Sequence, residues 1–345
     1  MKEFTTEITS KKGPSRALMN CKGGDRVAGQ IMKTDSSSTI PVLLDTDIGS
    51  DIDDAVCLSY LLRQPRCELL GITTVTGEPQ TRAALADAVC RAAGRTDIPI
   101  HSGTADSLLV RSRQPHCPQA SILPRFPHRR PEEFPPNTAV EFLRQQINAR
   151  PGEITLLAIG PMTNLGLLFA LDPGIARKLK RLVLMCGIFY HKQAPLLPIH
   201  NEWNAMIDPH ATAIVYRALV EDHLSVGIDV TARCTMPSDL CVQKFRDIGG
   251  PLAVVAAATE VWGHNCKTVT FHDPLTAAVI FNPSLCQYAE GEVTVELLST
   301  NERLLGTTLF DPNAPKKPHR IAVDVEPDRF LEEYFEVVGN ATAPD

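Results

Sequence analysis

From residue 41 onward the chain alternates short apolar runs with segments whose apolar residues recur at helical spacing. Pro41–Asp45 (PVLLD) reads as a strand and Asp54–Leu62 as a helix. Glu68–Val75 then reads as a strand, Thr81–Ala93 as a helix and Ile98–His101 as a short strand. Ser102–Pro136 holds Pro115, Pro118, Pro124, Pro127, Pro131, Pro135 and Pro136, which predicts a long loop. A loop of this length inside a compact domain is usually functional or disordered. Its Arg111, Arg113, Arg125, Arg129 and Arg130 read as a solvated face. The alternation resumes with a helix over Ala139–Asn148, a strand over Ile154–Ile159, and a helix over Asn164–Leu171 closed by Asp172-Pro173-Gly174. Leu182–Cys186 is a strand, followed by an irregular stretch to Trp203, a helix over Pro209–Ala218 and a strand over Leu224–Ile228. Pro251–His264 and Pro274–Ile280 read as helices, Gly291–Leu298 and Leu304–Leu309 as a strand pair, Ile321–Val325 as a last strand and Asp328–Val337 as a last helix. Strands separated by helices imply βαβ units. The expected fold is therefore α/β: one large domain over residues 40–340, with a mainly parallel, Rossmann-like central sheet and helices on both faces. Residues 1–39, rich in Ser, Thr, Lys and Gly, lack this periodicity and are expected to be a flexible extension.

Composition narrows the classes. With 43% apolar and 21% charged residues, the chain can build a large core. A net charge of −6 and a pI near 5.9 argue against nucleic acid as the main partner. No apolar run approaches the roughly 20 residues of a membrane helix, and the first residues, MKEFTTEITSKKGPSR, contain no hydrophobic signal core. The cysteines form no C-x-x-C pair; Cys57, Cys90, Cys186 and Cys286 fall in apolar periodic stretches and read as small core residues. That usage fits a reducing compartment, so a cytoplasmic location is expected.

One stretch does not fit an ordinary core. Val42–Ala55, VLLDTDIGSDIDDA, carries Asp45, Asp47, Asp51, Asp53 and Asp54 with no Lys or Arg among them. Desolvation and mutual repulsion of these carboxylates are unfavourable without a compensating cation. They stand at the carboxyl end of a strand entering a helix, where open α/β sheets bind ligands. Asp45 and Asp47 can point to one side by the strand's period of two, whereas adjacent Asp53 and Asp54 must diverge. Gly49 permits a sharp turn. Helix capping accounts for one or two of the five, Asp51 foremost. All nearby ligand candidates are oxygens, which selects Ca²⁺, Mg²⁺ or Mn²⁺ over zinc. Asp45-Thr46-Asp47 is also similar to the D-x-D-x-T/V motif of haloacid-dehalogenase-type phosphatases, but Gly49 stands where Thr or Val belongs.

DTDIGSDIDDA more closely resembles the aspartate cluster of the inosine–uridine-preferring nucleoside hydrolase family, D-x-D-x-G-x-D-D-A, with two extra residues after Gly49. ITLLAIGPMTNLG (Ile154–Gly166), NEWN (Asn201–Asn204) with Asp208-Pro209, and FHDPLTAA (Phe271–Ala278) resemble three further family segments in the same order. The resemblance spans about residues 41–337. It implies hydrolysis of the N-glycosidic bond of a ribonucleoside to ribose and free base, with one Ca²⁺ per subunit and a homodimer or homotetramer. It gives Asp47, Asp54, Asp273 and the carbonyl of Ile159 to the metal, and Asp53 to the base that activates water. Asp45 is assigned a supporting place behind the metal. Glu202, Trp203 and Asn204 match the sugar-binding E-F-N segment, and His272 would lie near the leaving base.

The chain also departs from the family pattern. The insertion leaves two candidates for the base, Asp51 and Asp53; Asp53 keeps the Asp-Asp-Ala spacing. Glu78 stands after TTVTG, where the family commonly has a sugar-contacting Asn, and Leu196 stands where a second Asn precedes the E-F-N Glu. His191, His200 and Asn201 are nearby substitutes. Thr163 and Asn164 read as helix caps. Three readings follow: a ribonucleoside hydrolase, a hydrolase of another ribosyl N-glycoside such as a modified nucleoside or nicotinamide riboside, and a catalytically weak nucleoside-binding homologue.

Overall fold

The computed structural model describes residues 38–189, 201–263, 266–302 and 304–340. The expected extension up to Ser37, and His191, Leu196 and His200, lie outside the described residues. The strands are β1 (Ile40–Thr46), β2 (Cys67–Thr74), β3 (Ile100–Ser102), β4 (Thr155–Ala158), β5 (Arg181–Met185), β6 (His223–Val226), β7 (Thr235–Pro237), β8 (Thr268–Thr270), β9 (Cys286–Val295), β10 (Thr308–Asp311) and β11 (His319–Val325). The helices are α1 (Asp53–Arg63), α2 (Pro79–Ala92), α3 (Ala139–Ala149), α4 (Thr163–Leu171), α5 (Trp203–Ile207), α6 (Pro209–Arg217), α7 (Ile228–Thr231), α8 (Ser238–Ile248), α9 (Pro251–Gly263), α10 (His272–Phe281) and α11 (Pro327–Gly339).

Nine strands form one sheet in the order β10-β9-β11-β6-β5-β4-β1-β2-β3, and β7 pairs with β8 apart from it. Within the large sheet every pairing from β11 to β3 is parallel; β9 against β11 and β10 against β9 are antiparallel. The mainly parallel α/β fold expected from the alternation is what forms. Alternate residues of β1 serve two cores: Val42 and Leu44 face the side covered by α1, α2 and α8–α11, and Leu43 faces the side covered by α3, α4 and α6. Both faces are therefore apolar, as a sheet buried on two sides requires.

The expected strand pair near the C-terminus is present, shifted to Cys286–Val295 and Thr308–Asp311. α8 and the β7–β8 pair are not anticipated by the periodicity. Both strands of that pair have only three residues, too few for a period-two pattern to register. The proline-rich loop contains two 3₁₀ segments, Pro118–Arg125 and Pro131–Glu133. Arg111 and Arg113 are exposed, as expected of a solvated face, but Arg129 packs inward: its Nε donates to Asp87 Oδ1 at 2.8 Å, and its guanidinium lies 4.4 Å from the Phe134 ring centre.

The strand order reverses at β1. The chain runs from β1 to β2 and β3 on one side, then returns to lay β4, β5 and β6 on the other. At such a point the loops leaving two adjacent strands diverge to opposite faces and open a crevice at their carboxyl ends. β1 and β4 are those strands, so Asp47 and Ile159 border one opening.

Candidate active site

The crevice is a cavity of about 430 Å³ lined by carboxylates on one wall and by Trp203, Trp262, Ile228 and His272 elsewhere. The turn that builds the acidic wall depends on Gly49. Its φ is +112°, and a Cβ there would meet Cys117 Sγ at 2.3 Å, so no side chain fits. Beyond the turn, Asp53 and Asp54 open α1, where the helix dipole favours negative charge. Asp273 lies in the first turn of α10, and its N–H donates to Asp53 Oδ2 at 3.4 Å.

Asp53, Asp54 and Asp273 each offer an oxygen within 4.8 Å of the others, and all three are buried. Burial and the repulsion of the neighbouring carboxylates push all three carboxyls well above the usual carboxylate range. Asp47 is raised as well, chiefly by desolvation, against the pull of the Arg82 guanidinium. Buried carboxylates in this state either take protons or share a cation. Their hard oxygen chemistry, with the Ile159 carbonyl on the same cavity, fits a divalent cation of the Ca²⁺ or Mg²⁺ type.

The remaining expected residues divide. Glu202 is buried and caps α5: Oε1 accepts from Asn204 N at 2.7 Å, and Oε2 from Ala205 N at 2.9 Å and Gly187 N at 3.0 Å. Burial nevertheless pushes its carboxyl up to about 7. Asn204 Nδ2 donates to the Ile159 carbonyl at 2.7 Å and to the Met185 carbonyl at 3.0 Å, which leaves its Oδ1 as an acceptor. Trp203 lines the cavity and is 46% exposed, so its indole is not a core residue. His272 Nδ1 lies 2.6 Å from Thr231 Oγ1, and burial pushes its imidazole down to about 4. Asp51 is exposed and lines the cavity, with Oδ1 accepting from Ile52 N at 2.6 Å.

Thr163, Asn164 and Glu78 sit differently from their sequence reading, and Asp45 lies behind the cavity rather than on it. Asp45 is buried away from the cavity lining; Oδ1 accepts from Thr73 Oγ1 at 2.5 Å and Asn164 Nδ2 at 2.7 Å, while Oδ2 has no partner. Thr163 and Asn164 are not side-chain caps of α4. Thr163 Oγ1 instead donates to Asp208 Oδ2 at 2.8 Å, and Asn164 ties Asp45 to the Thr74 carbonyl. Glu78 does not line the cavity; its Oε2 accepts from Cys117 N at 2.8 Å and clamps the proline-rich loop.

Sequence reasoning misses Gln114, Arg82 and Thr231. Gln114 comes from the proline-rich loop and reaches both Asp47 and Trp203. Arg82 is fully buried, donating to the Asp47, Ile48, Thr76 and His116 carbonyls, and is the cation beneath the acidic turn. One signal exists for it: Arg82 shares a helix face with Leu85, Ala86 and Val89, an apolar stripe in which an arginine is out of place.

Known proteins resemble the chain along nearly all of this architecture. The profile of the inosine-uridine preferring nucleoside hydrolases matches residues 42–332. "Probable uridine nucleosidase 2" of Arabidopsis thaliana is 33% identical over 275 residues, 74% of this chain and 81% of its own length. "Pyrimidine-specific ribonucleoside hydrolase RihA" of Escherichia coli is 28% identical over 85% of this chain and 96% of its own length. A solved plant nucleoside hydrolase superposes with a TM-score of 0.74 at 26% identity, covering 88% of this chain and 99% of its own. The chain thus belongs to the inosine–uridine-preferring nucleoside hydrolase family, whose members are N-glycosidases acting on ribonucleosides.

Proposed function

We propose that the enzyme hydrolyses the N-glycosidic bond of ribonucleosides in a Ca²⁺-dependent reaction, releasing ribose and a free purine or pyrimidine base. The observation that carries this reading is the convergence of Asp53, Asp54 and Asp273 in one cavity with Asn204 and Glu202. Asp47, Asp54, Asp273 and the Ile159 carbonyl would hold the cation. When bound, Ca²⁺ would engage the ribose 2′- and 3′-hydroxyls and acidify a water.

The chain's own groups supply the rest. Asp53 takes the proton of the attacking water. The sugar carbon passes through an oxocarbenium-like state, which the surrounding carboxylates stabilise. Asn204, with both amide hydrogens committed to carbonyls, presents Oδ1 to a sugar hydroxyl. Glu202 holds α5, and therefore Asn204, in place through its three backbone bonds. His272 is neutral at physiological pH and lines the cavity; in the tautomer whose Nδ1 accepts from Thr231 Oγ1, its Nε2–H would be the donor offered to the leaving base.

A second assignment within this chemistry exchanges Asp47 and Asp53. It is favoured by the close group, which contains Asp53 and not Asp47. Asp47→Asn and Asp53→Asn separate the two: the variant of the base loses turnover with cation affinity kept, and the variant of the ligand loses cation affinity. The test of the function is a nucleoside panel with and without Ca²⁺, read as free base released. Uridine heads the panel because the Arabidopsis relative is named for uridine. Release of base only from an unusual ribosyl compound, or binding without release, would overturn the reading.

A further inference from the structure

Gln114 makes three bonds at 8% exposure. Its Nε2 donates to Asp47 Oδ2 at 2.5 Å and to Ser50 Oγ at 3.0 Å, and its Oε1 accepts from the Trp203 indole N–H at 2.5 Å. Both amide hydrogens and the amide oxygen are therefore used. The three partners come from the turn after β1, the same turn again, and α5, so one side chain from the proline-rich loop joins the acidic wall to the sugar-binding segment.

The loop itself is fastened without Gln114. Glu78 holds Cys117 N at 2.8 Å, Arg82 Nη2 donates to the His116 carbonyl at 3.1 Å, and Gln119 Nε2 donates to the Asp51 carbonyl at 2.8 Å. The Gln114 side chain is thus not needed to keep the loop in place, and its bonds act on the site.

We propose that Gln114 is a positioning residue that fixes which oxygen of Asp47 faces the cavity and locks the Trp203 indole to that choice. With Oδ2 engaged by the amide, Oδ1 is the oxygen left for cation or water. Either role of Asp47 is served, because both need one oxygen free and oriented. This rests on the nucleoside hydrolase reading, and cation binding gives a readout that does not depend on catalysis.

The molecule contains two tryptophans, Trp203 and Trp262, and both line this cavity, so its intrinsic emission reports on the site. Ca²⁺ titrated into the intact protein should change that emission. In Gln114→Ala the Trp203 share of the change should disappear, and cation affinity should fall roughly tenfold. Gln114→Glu keeps an acceptor for the indole but sets a carboxylate against Asp47, and should lower kcat further than Gln114→Ala. Trp203→Phe keeps an aromatic ring but takes away the indole N–H and part of the ring area; it should lower kcat by several-fold alone and by little more in the Gln114→Ala background. Unchanged cation affinity and emission response in Gln114→Ala, with an unaltered melting temperature, would overturn the proposal. So would additive effects of Gln114→Ala and Trp203→Phe. Wild type that binds Ca²⁺ with the expected emission change but cleaves no nucleoside would overturn the functional reading and leave the positioning role supported.

Discussion

Asn204 Nδ2 donates to the carbonyl oxygen of Ile159 at 2.7 Å, joining α5 to the end of β4 across 45 residues of chain. The same amide reaches the Met185 carbonyl at the end of β5. The residue proposed to recognise the sugar is therefore also the tie between two neighbouring strand ends. Asn204→Ala should lower kcat/KM by roughly 100-fold, since a buried carbonyl is left unpaired and an acceptor for substrate is lost. Steady-state kinetics on the best substrate of the panel, beside a melting curve, measures both. A variant with full kcat/KM would remove Asn204 from the site.

Arg82 should matter for folding as much as for chemistry. Its guanidinium is fully buried and satisfies carbonyls from three segments of chain. Arg82→Met strands those acceptors and withdraws the cation beneath Asp47, so a loss of about 3 kcal/mol or more is expected. Urea denaturation gives the number. A change within about 0.5 kcal/mol of wild type would mean the carbonyls find other donors.

Divalent cation should stabilise the fold. Asp53, Asp54 and Asp273 repel one another while desolvated, and a bound cation removes that penalty. At a free Ca²⁺ concentration about 100 times the dissociation constant, the gain is about 2.7 kcal/mol. Calorimetry should show a higher melting temperature with Ca²⁺ and a return to baseline on chelation. Asp273→Asn should flatten the response; an equal Ca²⁺ shift in that variant would place the cation elsewhere.

Acid should weaken the protein through His223. This side chain is buried at β6, stacked on Tyr216 with ring centres 5.2 Å apart, and neither ring nitrogen has a hydrogen-bond partner. Burial and the neighbouring His319 hold its imidazole well below the ordinary 6.5. Arg181, Lys317 and Arg320 line the depression it borders, with Glu221, Asp222 and Glu290, so an added charge there meets both signs. The unfolded chain takes the proton first as pH falls. The contribution is thus complete above about pH 6.5 and is lost progressively below it. Melting temperatures from pH 7.5 to 5 should fall more steeply for wild type than for His223→Phe, which keeps the ring and cannot titrate. Parallel curves would assign the acid sensitivity to other groups.

What could be read from the chain was whatever repeats or clusters locally. Leu43 and Leu44 announce a strand buried on two sides, and five aspartates in ten positions announce a site. Asp273 was legible only through its resemblance, since nothing in the sequence says that α10 points its first turn at α1. Gln114 was not legible at all: it lies 67 residues from Asp47 and 89 from Trp203, in a stretch whose prolines erase periodicity. Glu78 shows the opposite failure. Its position suggests a sugar contact, but a loop N–H captures its carboxylate first. Local spacing reports which face a residue takes, and carries no record of what tertiary packing will bring to that face.

The acidic floor descends from the turn after β1 and the start of α10, whereas Ile228 and Trp262 hang from α7 and α9, at the start of one helix and near the end of another. Carboxylates and apolar lining therefore stand on different elements, so a substitution at Ile228 or Trp262 alters the apolar lining without touching the segments that carry Asp53, Asp54 and Asp273.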